Sequence, residues 1–278
     1  MQSPVVSVKQ KIKVVYFTDP ICSSCWGIEP QLRKLKLAYG DAIDIEYRMG
    51  GLLRDWSYNS GGISQPSDVA SHWDEVSHHY DMPIDGDVWL EDPLHSSYPP
   101  SIAFKAAQLQ SDSKAIDFLR KIREMVFLEK KNITKSEHLE NAVKAVGLDV
   151  LQFQSDYKGV AKKLFEEDLK LGQTYRVRGF PTLFFIDSTG SNHIVYGSKP
   201  YESYVAELLK INPELKTNAY NTSWEFLFAK YYTLTAREYA ELSQTDRNVS
   251  EATLDALVES GDLKKFSTKN GAIWQRIL

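Results

Sequence analysis

The alternation of apolar and polar positions places strand-like runs at two distant points of the chain, separated by a long stretch of helical periodicity. Residues 12–17 are rich in β-branched and aromatic side chains, which is typical of a buried strand. A second apolar run, 183–186, precedes a polar turn and the run 193–197, an order that predicts a β-hairpin. Apolar residues at helical intervals between these runs predict helices over 68–79, 98–110, 115–129, 135–146, 150–156 and 158–171.

The end of the chain follows a separate pattern. A polar linker over 218–222 is followed by an aromatic-rich run, 224–232, that predicts a short helix, and then by two stretches of helical periodicity, 235–243 and 250–260. Two alternating runs then flank Asn270-Gly271, and an Asn-Gly pair in this position is a strong hairpin signal. The order helix, helix, hairpin resembles a winged helix-turn-helix over 220–278.

Composition and charge exclude several classes of protein. The 278 residues are 42% apolar and 25% charged, which are ordinary globular values, and a chain of this length predicts about two domains. The net charge is −4, and the region 213–278 holds eight basic and nine acidic residues. Its second helix carries Glu251, Asp255 and Glu259 on one face, where DNA binding needs basic side chains, so we expect no nucleic-acid partner.

No part of the sequence indicates a membrane or a secreted location. The longest apolar runs are four or five residues, far short of the roughly twenty that cross a bilayer. The first residues lack a basic region followed by a long apolar core, so they do not form a secretory signal. With Met1 as the start, we expect a cytoplasmic protein without a membrane partner.

The only two cysteines, Cys22 and Cys25, stand two residues apart. They are too few for a structural zinc site, since no histidine pair has the matching spacing, and we expect no metal. Cys22 lies where the first strand gives way to a helix, whose amino end favours a thiolate. This spacing predicts Cys22 as an attacking thiol of low pKa and Cys25 as a buried resolving thiol. The alternative is that both are small buried residues without chemistry.

Two further features stand near this pair in the predicted fold. Asp19 is a candidate proton acceptor for Cys25, or else the residue that closes the turn before the helix. Far along the chain, Gly179-Phe180-Pro181-Thr182 leads directly into the second apolar run. A proline is tolerated at the start of a strand because no ladder donor is needed there, and a cis bond before Pro181 would fix a kink.

The segment from Asp19 to Pro30, combined with the Gly-Phe-Pro-Thr motif, resembles the DsbA family over roughly 11–212. It is most similar to the cytoplasmic, FrnE-like branch, and it also resembles the YjbH-like adaptors. The resemblance implies an α/β thioredoxin fold with an inserted helical domain. The core would comprise 11–64 and 173–212, the insert 65–172, and a winged-helix-like C-terminal module 220–278.

The resemblance also implies roles for individual residues. Cys22 would be the nucleophile, Cys25 the resolving thiol and Pro181 a cis-proline facing them, with the backbone of Phe180 pairing with substrate. Substrate contacts are assigned to Phe180, Thr182, Ser23, Ser24 and Trp26. An apolar groove near Cys22, or ordinary core, is expected from Trp56, Tyr58, Trp73, Trp89 and Tyr98.

The leading hypothesis is therefore a thiol–disulfide oxidoreductase or isomerase. Its partners would be disulfide-containing or thiol proteins, with glutathione or a thioredoxin-type protein as reductant. No organic cofactor is expected, because the cysteine pair is itself the redox couple. The alternative is a YjbH-like adaptor that binds a partner for proteolysis, with non-catalytic cysteines. A glutathione-dependent isomerase of the same fold is a third reading, disfavoured because such enzymes place serine where Cys22 stands.

Overall fold

A four-stranded sheet organises the first part of the chain in the computed structural model, which describes residues 11–57 and 63–277. Its strands are β1 (Ile12–Thr18), β2 (Ile43–Met49), β3 (Thr182–Ile186) and β4 (Asn192–Tyr196), in the spatial order β2-β1-β3-β4. β1 pairs with β2 in parallel and with β3 antiparallel. The central strand β1 is almost entirely buried, as its run of β-branched and aromatic residues predicts.

Two helices follow β1 where the sequence predicts one. α1 (Ser23–Gly27) and α2 (Glu29–Tyr39) are separated at Ile28. Pro30 lies in the first turn of α2, a position where its missing N–H costs nothing and which therefore favours a new helix start. α2 ends at Gly40, as expected.

The predicted helical insert is present between β2 and β3. It contains α3 (Pro66–Tyr80), α4 (Val88–Glu91), α5 (Tyr98–Gln110), α6 (Asp112–Phe127), α7 (Ser136–Ala145), α8 (Val150–Lys158) and α9 (Ala161–Thr174). α6 begins three residues earlier than its apolar periodicity indicates, because the Ser111 hydroxyl caps it by accepting from the Lys114 amide. The sequence does not predict α4, because a single helical turn is too short to show an apolar periodicity.

After β4, α10 (Tyr201–Ile211) returns to the sheet and contacts α2. A polar loop then leads to the C-terminal segment, residues 224–276. It comprises α11 (Trp224–Lys230), β5 (Thr233–Thr235), α12 (Ala236–Ser243), α13 (Arg247–Glu259), β6 (Leu263–Thr268) and β7 (Gly271–Arg276). Its three strands are antiparallel in the order β5-β7-β6. The predicted order of helix, helix and hairpin is therefore observed.

One boundary in the segment differs from expectation. α13 begins at Arg247 instead of residue 250, because Asp246 caps it by accepting from the Asn248 amide. Ser250 is fully buried inside the helix, and its hydroxyl pairs with that of Thr245 at 2.6 Å. The helix ends before Gly261, whose φ of +85° suits glycine.

The C-terminal segment packs against the rest of the chain through apolar and charged contacts. Ile273 of the segment belongs to the main apolar core, and Leu37 of α2 packs against the segment's own core. At one edge, Lys269 pairs with Asp74 of α3 at 2.5 Å. Within residues 11–57 and 63–277, no helix is long and apolar enough to cross a bilayer.

Candidate functional site

The two cysteines lie at the junction of β1 and α1, as the sequence predicts. Cys22 is the N-cap of α1, and its Sγ accepts a hydrogen bond from the Cys25 amide at 3.1 Å. Cys25 is fully buried and Cys22 is 5% exposed. Both are free thiols. Cys22 is thus the only one of the two that can meet a reactant without a change in the surrounding packing.

Arg123 of α6 supplies the positive charge of the site. One of its terminal nitrogens, Nη2, donates to Thr18 Oγ1 at 2.6 Å and to the Asp19 carbonyl at 3.2 Å. The other, Nη1, donates to Glu29 Oε1 at 2.6 Å. The guanidinium is fully buried. Sequence reasoning missed Arg123, since a basic residue in a predicted helix, a hundred positions from the cysteines, carries no local signal of its role.

The charge of the pair is distributed differently from the prediction. Burial raises the pKa of Cys22, and its hydrogen bond to Cys25 raises it further. Burial acts in the same direction on Cys25, but the hydrogen bond with Cys22 and the charge of Arg123 outweigh it, so the pKa of Cys25 is lowered. The directions of the two shifts do not support a low pKa at Cys22, because burial and the hydrogen bond within the pair favour the charge on Cys25; the role of Cys22 as the attacking thiol stays a prediction.

Asp19 closes the turn before α1, which was one of its two predicted roles. Its Oδ1 accepts from the Ile21 amide at 3.1 Å, and its Oδ2 accepts from the Leu52 amide and the Ser97 hydroxyl, each at 2.8 Å. It thereby joins the cysteine loop to the loop after β2 and to the start of α5. Burial raises the pKa of Asp19 from its ordinary 3.8 to about 6. A role as proton acceptor for Cys25 stays a prediction.

This raised pKa predicts a pH dependence of stability. Because folded Asp19 keeps its proton up to about pH 6, its contribution to stability is fully present below about pH 4 and is lost as the pH rises to about 6, by roughly 3 kcal/mol. Asp19→Asn removes the titration. In urea denaturation at several pH values, the variant is expected to lack this downward slope, and an unchanged slope would contradict the assignment.

The proline loop lies beside β3, and the Phe180–Pro181 peptide bond is cis. The Pro181 carbonyl accepts from the Gly197 amide at 2.8 Å. Thr182 is buried and its hydroxyl donates to the Gly179 carbonyl at 2.7 Å. That hydroxyl is used inside its own loop, and the predicted substrate contact of Thr182 stays a prediction.

Trp26 is misassigned by the sequence. Its ring is fully buried, stacks on Phe127 at 5.6 Å and donates from Nε1 to the Pro83 carbonyl at 3.1 Å. Trp26 is a core residue joining α1 to the insert, and it cannot contact a substrate. By contrast, Ser23 and Ser24 both border a cavity beside Cys22.

That cavity has a volume of about 250 Å³ and lies between the cysteine loop and the helical insert. Of the predicted aromatic groove, Trp56, Trp73 and Trp89 line it, and Phe180 closes one side. Tyr98 instead packs on Phe165 at 4.9 Å, and Tyr58 lies outside the described residues. The remaining lining residues are Ile21, Leu52, Leu53, Ile63, Val69 and His72. The cavity wall beside the Cys22 thiol is therefore mainly apolar.

The position of Phe180 depends on a glycine opposite its ring. A Cβ added at Gly50 would overlap this ring, so Gly50→Ala must displace it from the cavity wall. We expect a loss of about 1–3 kcal/mol in the free energy of unfolding, measured by urea denaturation. Gly172→Ala is the matched control, because its Cβ would meet Phe17 at an ordinary 3.5 Å within a helix. Equal stability of the two variants would contradict the prediction.

A metal centre is not apparent in the parts of the chain that the structure covers. No group of three or more His, Cys, Asp and Glu side chains comes together there in a way that could hold an ion.

Comparison with known proteins places this fold and site in a family. A family model described as thioredoxin matches residues 16–206. This chain belongs to the thioredoxin family. A putative protein disulfide isomerase from Nitrosomonas europaea has a similar structure, with a TM-score of 0.63, 18% identity, and coverage of 72% of this chain and 98% of that one. The cytosolic disulfide reductase DsbM from Pseudomonas aeruginosa gives a TM-score of 0.58, at 20% identity over 71% of this chain and 98% of that one.

One sequence relative covers far more of the chain. The ClpXP adapter protein SpxH of Halalkalibacterium halodurans is 36% identical over 96% of this chain and 89% of its own length. Within the thioredoxin family, the chain therefore belongs with the SpxH proteins. These findings confirm the predicted thioredoxin fold with a helical insertion, together with the resemblance to the DsbA family and to adaptors.

Proposed function

We propose that this chain is an adapter that binds a partner protein and presents it to the ClpXP protease. The observation that carries the proposal is the 36% identity to a ClpXP adapter over 96% of the chain. That similarity extends across the C-terminal segment, whereas the thioredoxin family model ends at residue 206. In the sequence, the cysteine motif favours a thiol–disulfide oxidoreductase, and the adapter is the alternative.

The structure adds a physical argument for an adapter. The C-terminal segment packs on the thioredoxin core and the helical insert, where the buried Glu238 pairs with Arg33 at 3.2 Å and with Arg120 at 2.8 Å. The acidic residues of α13 are largely engaged within the protein: Glu251 pairs with Arg247 at 2.7 Å and Asp255 with Lys265 at 2.8 Å. Because Glu238 joins this segment to the core, one protein surface includes both, which supports a protein-binding role.

Reconstituted proteolysis tests this proposal. ClpXP, ATP and a cell extract from the same organism are incubated with and without the chain, and protein half-lives are followed by mass spectrometry. We expect at least one protein to be degraded several-fold faster when the chain is present. That effect must disappear without ATP. An extract in which no protein's half-life changes contradicts the adapter proposal.

A second candidate function is thiol–disulfide exchange by Cys22 and Cys25. It is supported by the position of Cys22 at a helix N-cap in the cavity wall and by the buried guanidinium of Arg123. In this reaction, Cys22 attacks a substrate disulfide and Cys25 then displaces the substrate. The substrate gains two electrons and two protons as the Cys22–Cys25 disulfide forms. Glutathione or a thioredoxin-type protein would reduce the pair again, without an organic cofactor.

The reduction potential of the pair tests this second function. The protein is equilibrated in glutathione buffers, free thiols are trapped, and the disulfide fraction is measured by mass spectrometry. A potential near about −120 to −200 mV indicates an oxidase or isomerase, and one near about −270 mV indicates a reductase. A pair that forms no intramolecular disulfide excludes exchange and leaves the adapter. Either function is proposed to operate in the cytoplasm.

A further inference from the structure

A chain of buried charges connects the cysteine pair to the C-terminal segment. Arg123, which bonds the Thr18 hydroxyl beside the pair, donates to Glu29 at 2.6 Å. Glu29 lies 3.7 Å from the Arg33 guanidinium, one turn along α2. Arg33 in turn contacts Glu238 at 3.2 Å, in the first turn of α12. The path therefore runs from Thr18, beside the cysteine pair, to the C-terminal segment through buried or nearly buried side chains.

Burial makes these charges sensitive to one another. The side chains of Arg123 and Glu238 are fully buried, and those of Arg33 and Glu29 are 8% and 13% exposed. Ion pairs shielded from water interact several times more strongly than exposed ones. Glu238 also accepts two hydrogen bonds from Arg120 and one from the Thr235 amide, which fixes the start of α12.

The charge balance of this cluster depends on the state of the thiols. Three arginines face three glutamates: Arg33, Arg120 and Arg123 against Glu29, Glu124 and Glu238. These six charges balance one another; the buried Asp19 carboxyl, whose pKa is about 6, adds one negative charge beside Arg123 when it ionises, and a thiolate adds another. Arg123 must then be shared between the thiolate and Glu29. Its Nε has no hydrogen-bond partner among the described residues, so it retains an unused donor.

We propose that Arg123 is a positioning residue for the thiolate of the cysteine pair. Through the contacts of Glu29, Arg33 and Glu238, the packing of the C-terminal segment on the core then depends on whether the pair is ionised or oxidised. The proposal rests on the thiol–disulfide exchange proposed above, whose regulation it describes. When a thiolate forms, Arg123 moves away from Glu29. Glu29 then pairs more closely with Arg33, and the ion pair between Arg33 and Glu238 weakens.

Oxidation reverses this sequence. The two thiols give up two electrons and two protons to a disulfide oxidant such as oxidised glutathione, which becomes two reduced molecules. With no thiolate left, Arg123 returns to Glu29 and Arg33 to Glu238. The oxidised protein is therefore expected to hold α12 more firmly than the reduced protein. Because coupling is reciprocal, changes at Glu238 must also alter the ionisation of the thiols.

The first test follows thiolate formation in the reduced full-length protein by its ultraviolet absorbance across a pH series. Arg123→Met is expected to raise the apparent pKa by about one unit or more, and Arg123→Lys to restore most of the difference. Glu29→Gln is expected to lower it by about one unit, because Arg123 is then free for the thiolate. The other ionisable groups around the pair are Tyr16, Asp19 and Tyr204, and none of these residues is substituted in the variants.

The second test compares hydrogen exchange of α12 in the disulfide and reduced forms. We expect several-fold slower exchange in the disulfide form, and no such difference in Glu29→Gln. Lys269→Met is the matched control: it breaks the two ion pairs of Lys269 with Asp74 and Asp87 of the helical insert, which lie outside the charge chain. It should leave both the thiol pKa and the difference between the two forms at wild-type values.

The two tests separate failure of this proposal from failure of the exchange function. Thiolate titration needs no substrate and no disulfide, so it reports on Arg123 even if the chain performs no exchange. Equal apparent pKa values in wild type, Arg123→Met and Glu29→Gln would overturn the role of Arg123. A difference in α12 exchange that persists in Glu29→Gln would overturn the coupling.

Discussion

Cys22→Ser is expected to reduce thiol–disulfide exchange to the uncatalysed rate while leaving ClpXP-dependent degradation of a partner unchanged. Cys22 borders the cavity, whereas Cys25 is fully enclosed, so the serine variant retains no thiol that a substrate can reach. A serine hydroxyl is far less acidic than a thiol and forms no nucleophile comparable to a thiolate. Insulin reduction and the reconstituted degradation assay measure the two activities on the same preparation.

Cys25→Ser is the matched variant, since it keeps the attacking thiol and removes the resolving one. It should accumulate mixed disulfides with substrate, visible by mass spectrometry without reductant. Normal insulin reduction by Cys22→Ser would contradict the exchange mechanism. Loss of partner degradation in both serine variants would show that the thiols belong to the adapter function as well.

Glu238→Ala is expected to lower the free energy of unfolding by about 3–5 kcal/mol, the range for breaking a buried ion pair from one side. The alanine leaves the arginines that face Glu238, Arg33 and Arg120, without a full complement of partners. It also removes the acceptor for the Thr235 amide at the start of α12. Urea denaturation, with hydrogen exchange to locate the loosened region, measures the effect.

The pKa of the Glu238 carboxyl predicts that the stability of the protein depends on pH in the acid range. Burial acts to raise the pKa of Glu238, but Arg120 and Arg33 outweigh it, so the pKa is lowered. Its stabilisation is therefore present above the ordinary glutamate pKa of 4.5 and is lost as the pH falls through the lower folded value.

Exposed ion pairs of the same segment provide the comparison for Glu238→Ala. Lys269→Met breaks contacts with Asp74 and Asp87, and the Lys269 side chain is 42% exposed. Pairs of this kind contribute at most about 1 kcal/mol, because water and salt screen them. A loss from Lys269→Met as large as that from Glu238→Ala would show that burial does not set the strength of these contacts.

The cysteine site shows how far local sequence reasoning extends. The placement of Cys22 at a strand-to-helix junction and of Asp19 in the preceding turn follows from neighbouring residues, and both are observed. The tryptophans that line the cavity cannot be predicted from their spacing in the sequence. Trp26 stands next to Cys25 yet is entirely core, whereas Trp56 and Trp73 come from elsewhere in the chain and line the cavity.

The preference of the sequence for an enzyme over an adapter also comes from the short range of its motifs. A Cys-x-x-Cys motif and a Gly-Phe-Pro turn are short patterns that a whole fold family shares, so they predict a fold and a type of chemistry. The adapter assignment draws on similarity along the entire chain, including the C-terminal segment. That segment carries no short motif from which a partner can be derived.

The sequence by itself determined β1, β3 and β4, most helices, the hairpin at Asn270-Gly271 and the position of the cysteine pair, whereas β2 and β5 were not predicted. These features depend on residues within a few positions of one another, where periodicity and turn chemistry act. The tertiary structure alone decided that Arg123, Glu29 and Glu238 meet, because they lie on three helices far apart in the chain. Their contact is set by how those helices pack, and burial then gives the charges their strength.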